Sequence, residues 1–107
     1  GDRIEFLRRT IGPRMTTYLA GSEPSTPLTG DEHSGRVSAT QALRLKAAYA
    51  DVAMIVDTYD AATARSWLFG TNSFLDDAAP IEVCRKGTHA NDFDPLLAAA
   101  RGFVRPS

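Results

Sequence analysis

Residues 47–56 carry a single charge, that of Asp51, and are otherwise Ala, Tyr, Val, Met and Ile. A helix built from them has no face suited to water, so other helices or another chain must surround it. Its start is written a few residues earlier. Ser38 with Gln41 has the spacing of a capping box, in which the Ser oxygen accepts a free backbone N–H and the Gln side chain reaches back to the cap. From there Leu45, Tyr49, Val52, Val56 and Tyr59 recur at steps of four, three, four and three, a seam that faces a partner element.

The flanking segments also read as helices. Over residues 3–11, Ile4, Phe6, Leu7 and Ile11 fall at helical spacing beside a basic face of Arg3, Arg8 and Arg9. Gly12-Pro13 breaks that helix, and Pro13 suits the first turn of a second one through Met15, Tyr18, Leu19 and Ala20, closed by Gly21. Residues 21–35 are rich in Gly, Pro, Ser and Thr, with Leu28 as the only large apolar residue, and read as a loop. Asp60 caps a helix bearing Ala61, Ala64, Trp67 and Leu68, with Gly70 as a left-handed stop and Thr71-Asn72-Ser73 as a turn. Pro80 opens a helix over residues 81–86 that ends at Gly87, and Asp94-Pro95 opens another over residues 96–101 that Gly102 stops.

The reading is a small all-α domain of five to six helices around a long central one. It divides into an N-terminal helical segment and loop, residues 1–36, and a helical domain with a C-terminal tail, residues 37–107.

Charge and chemistry exclude more than they assign. The net charge of −1, from 12 Lys and Arg against 13 Asp and Glu, lacks the basic footprint of a dedicated nucleic-acid binder. A single cysteine, Cys84, forms no internal disulfide and favours a reducing compartment, and no run is long enough to span a membrane or resembles a signal peptide, so a cytoplasmic protein is expected. His33 and His89 have no metal-spaced partner, Cys84 suits a buried core thiol, and Asp76-Asp77 suits a solvated turn. No catalytic constellation, metal site or cofactor is expected, and the chain reads as a non-enzyme. Arg8, Arg9 and Arg14 crowd the N-terminus, where they suit a solvated face or weak positioning contacts to DNA backbone.

The segment AATARSWLFGTNSFLDDAAPIEVCRKG, residues 61–87, resembles the toxin-binding domain of the Xre/MbcA/ParS antitoxin family through Ala64, the Trp67-Leu68 pair, Asn72, Leu75, Pro80 and Gly87. Residues 3–21 resemble the opening helices of the upstream helix-turn-helix of that family. The place of its recognition helix, however, is taken by Ser22-Glu23-Pro24-Ser25-Thr26-Pro27, so this part is a degenerate helix-turn-helix. The resemblance implies an antitoxin that neutralises a RES-domain toxin, an NAD phosphorylase or ADP-ribosyltransferase, by occluding its active site. It also implies that the C-terminal Arg101, Gly102, Phe103, Val104 and Arg105 lie at the toxin's nucleotide cleft, while Trp67 and the other matching residues hold the domain together. A homodimer or a toxin–antitoxin hetero-oligomer is expected, with at most weak operator binding. The alternative is a DNA-binding transcriptional regulator with a helical dimerisation domain.

Overall fold

The computed structural model describes residues 2–22 and 37–105, and among these it is all-α, with six α-helices, two 3-10 turns and no strand. The helices are α1 (Asp2–Ile11), α2 (Pro13–Leu19), α3 (Ala39–Thr58), α4 (Ala61–Phe69), α5 (Pro80–Lys86) and α6 (Asp94–Val104). The 3-10 turns are Ser73–Leu75 and Ala90–Phe93. Residues 23–36, with Pro24, Pro27 and His33, lie outside the described residues, as does the boundary between residues 36 and 37, so the expected degenerate helix-turn-helix is not described there.

Local chemistry places most of the helix starts. The Ser38 hydroxyl accepts the Gln41 N–H at 3.0 Å while the Gln41 side chain accepts the Ser38 N–H at 3.0 Å, which completes the capping box of α3. Asp60 accepts the Thr63 N–H at 2.7 Å to cap α4, and Pro13 and Pro80 occupy the first turns of α2 and α5. Gly12 and Gly21 carry the positive φ values, 94° and 98°, that let the chain break before α2 and leave it.

Helix α3 is the central element, and α1, α2, α4, α5 and α6 all pack on it. Its buried stripe is Leu45, Ala48, Asp51, Val52 and Ile55. The seam expected from the sequence therefore runs off phase: Tyr49 and Val56 are only half-buried, and Tyr59 is the exposed C-cap. A period read from apolar residues alone continued one residue past the helix end at Thr58. Within the stretch 47–56 the chain's own helices bury Ala48, Asp51, Val52 and Ile55, leave Ala47, Tyr49, Ala53, Met54 and Val56 half-buried, and leave Ala50 exposed.

One core cluster joins Ile4, Leu7 and Ile11 of α1 to Leu96, Ala99 and Ala100 of α6 by way of α3, Trp67, Leu68 and Ile81. Two arginines tie the end of α2 into this core. Arg44 donates to the Ala20 carbonyl at 2.9 Å and to the Gly87 carbonyl at 2.9 Å. Arg85 donates to the carbonyls of Tyr18 and Ser22, and its guanidinium lies 4.2 Å from the centroid of the Tyr18 ring. A basic residue in the last turn of a helix can pair with the end of its own helix, but Arg85 instead reaches the carbonyl end of α2, where helix carbonyls attract a cation.

Two glycine stops differ from expectation. Gly70 ends α4 in an extended rather than left-handed conformation, with φ of −87°, whereas Gly87 ends α5 as expected, with φ of −66°. Gly87 is small for a different reason, since a Cβ there would overlap the buried Phe93 ring. Gly102 does not stop α6, which continues through Val104. Phe103 and Val104 are thus the last turn of a helix and not a free tail: Val104 packs against the core, and the Phe103 ring meets Tyr59 edge-on with centroids 5.7 Å apart.

Candidate functional site

Large apolar side chains left in water are few: Tyr59 at 51% exposure, Phe69 at 41%, Phe74 at 74% and Phe103 at 41%. Three of the four, Tyr59, Phe74 and Phe103, line one open groove of about 800 Å³. The walls come from the end of α3, the outer face of α4 (Ala62, Thr63, Ser66, Trp67), the turn from Thr71 to Phe74, and the end of α6 (Ala99, Gly102, Phe103, Arg105).

The turn owes its shape to Asn72. Its side chain accepts the Phe74 N–H at 2.9 Å, and its carbonyl accepts the N–H groups of Leu75 and Asp77, each at 2.9 Å. Asp76 and Asp77 then take left-handed φ values of 55° and 65°, which short acidic side chains tolerate better than most. The result turns Leu75 into the core and leaves Phe74 over the groove. Asn72 thus organises the turn, as its residue type suggests, while the left-handed positions belong to the exposed aspartates.

Trp67 is 7% exposed and forms part of the groove wall. Its indole N–H is the one buried side-chain polar atom among the described residues without a hydrogen-bond partner. Such a buried, unpaired group typically costs about 1–3 kcal/mol.

Arg105 is the only charged residue lining the groove, and among the described residues its guanidinium has no acceptor. The titratable side chains among its lining residues are Tyr59 and Arg105. The ionisable groups with perturbed pKa values lie elsewhere. Burial pushes Asp51 up to about 7 and Cys84 up to about 12, with the Asp51 charge adding to the Cys84 shift. Cys84 is 1% exposed, and its thiol donates to the Arg44 carbonyl at 3.3 Å, as a core thiol would. His89 is exposed, and no group of His, Cys, Asp or Glu among the described residues suits a metal ion.

Of the C-terminal residues singled out by the sequence, Gly102, Phe103 and Arg105 line the groove, Val104 joins the core, and Arg101 is exposed on α6 outside the lining. Of the structural motif, Trp67 and Asn72 line the groove, Leu68, Leu75 and Pro80 are buried, and Gly87 sits beneath Phe93. Arg9 and Arg14 are exposed on α1 and α2, and Arg8 is half-buried and already engaged. Sequence reading missed Tyr59, Phe74, Thr63 and Ser66; the one available signal was Phe74, a large aromatic in a polar turn with no helical phase to bury it.

Compared with protein-family models, curated proteins and solved structures, the chain matches none. No helix among the described residues is long and apolar enough to cross a membrane.

Proposed function

We propose that this chain is a non-enzymatic binding module that docks a partner protein through the face formed by the end of α3, α4 and the end of α6. The observation that carries this reading is the convergence of Tyr59, Phe74 and Phe103, exposed aromatics from three distant segments, on one groove. The resemblance of residues 61–87 to antitoxin toxin-binding domains makes the partner a RES-domain toxin. In this reading the end of α6, with Arg101, Gly102, Phe103 and Arg105, covers the toxin's nucleotide cleft and denies NAD entry, in the cytoplasm where NAD is consumed. The test is to mix the purified chain with the RES-domain toxin encoded beside it and follow both co-elution and NAD turnover. Complex formation with turnover blocked is expected, and Phe103→Ala should weaken both, since aromatic anchors typically contribute more than about 1 kcal/mol to an interface. Failure of the unmodified chain to bind or inhibit that toxin overturns the toxin reading.

A further inference from the structure

The groove is built unevenly. Thr63, Ser66, Thr71 and Ser73 offer hydroxyls, and among the described residues the single charge in the lining is the cation Arg105. A partner rich in acceptors and negative charge complements this lining, and a basic one does not. Three exposed rings frame the same space, so the partner must also bring an apolar side chain. The groove is open to solvent along its length rather than enclosed, which suits a chain segment better than a small molecule held on all sides.

We infer that this groove receives an extended acidic segment of a partner protein, with an apolar side chain seated among Tyr59, Phe74 and Phe103 and a neighbouring Asp or Glu carboxylate paired with Arg105. The inference rests on the reading that this face docks a protein and is independent of which protein that is.

Trp67 is the only tryptophan, so its indole N–H gives one assignable resonance in the 15N-labelled full chain. The probes are the acetylated, amidated octapeptide GSELEFSG and its counterparts with Gln or Lys in place of both Glu residues. The acidic peptide should shift the indole resonance saturably, with a Kd on the order of 1 mM or tighter. The Gln peptide should bind about three- to fivefold more weakly, as expected for loss of an exposed ion pair, and the Lys peptide more weakly still. Arg105→Gln should abolish the advantage of the acidic peptide. Phe74→Ala should weaken all three without threatening the fold, because Phe74 is 74% exposed. No saturable shift with the acidic peptide, equal binding of the Lys peptide, or an unchanged preference in Arg105→Gln overturns the inference. Toxin binding by the same variants separates the two readings. A chain that titrates with the peptide but ignores the toxin loses only the toxin. A chain that holds the toxin equally well after Phe74→Ala and Arg105→Gln loses only the groove.

Discussion

Asp51 sits on the inner face of α3 at 2% exposure, and burial alone pushes its carboxyl from 3.8 to about 7. At this group the native state therefore binds more protons than the unfolded chain between those two values, so the stability Asp51 contributes is fully present below about 4, falls as pH rises through that window and levels off above about 7. A rise of that size corresponds to a loss on the order of 4 kcal/mol for a group this buried. Nearby Cys84, held near 12, stays protonated throughout and adds no titration of its own. Urea unfolding at pH 5 and pH 8 should show a lower midpoint at pH 8, and Asp51→Asn should remove most of that difference and be the more stable protein at pH 8. An equal drop in both proteins would mean that another group titrates. The residues legible in the sequence are those whose job is local: Ser38, Gln41 and Asp60 cap with their own side chains, and Pro13 and Pro80 preset their own φ. Tyr59 was not legible, because only its place just past the end of α3, facing Phe103 from 44 residues away, puts it in water and on the groove.

At the level of elements, α6 departs most from its sequence signals. Gly102 carries the composition of a stop, yet the helix passes through it because Val104 finds the core and Phe103 finds Tyr59. Tertiary contacts outweigh a local penalty of about 1 kcal/mol for glycine within a helix. A Cβ at Gly102 would sit 4.0 Å from the Phe74 ring, an ordinary contact. Gly102→Ala should therefore raise stability by about 0.5–1 kcal/mol, measured by thermal or urea unfolding, while narrowing the groove and weakening whatever occupies it. A destabilised variant would show that the backbone there is not regular helix in solution. The same comparison explains why the groove was only half legible: each wall follows from its own segment, but the walls meet only through tertiary packing, on α3 and of the 73–75 turn against α6.

For the whole molecule, charge sets the expectation toward DNA. With a net charge of −1 and Arg9 and Arg14 as the exposed N-terminal cations, about two phosphate contacts are available. Duplex binding should be weak, indifferent to sequence, and reduced about tenfold between 50 and 200 mM salt, as followed by fluorescence anisotropy. A tight, sequence-specific complex would favour the regulator reading instead. The clasp that Arg44 and Arg85 make on the carbonyl end of α2 has a wider bearing on how such a protein can change. DNA-reading heads and partner-binding bodies are commonly pictured as cassettes that recombine freely. Here the body reaches into the head with two guanidinium groups, and the head answers with carbonyls that only a helix ending at that place can present. An exchanged N-terminal segment must bring a matching helix end or leave Arg85 without its two carbonyl acceptors and Arg44 with the Gly87 carbonyl alone. The groove residues carry no such tie, so they tolerate substitution one at a time better than the first two helices tolerate replacement as a block.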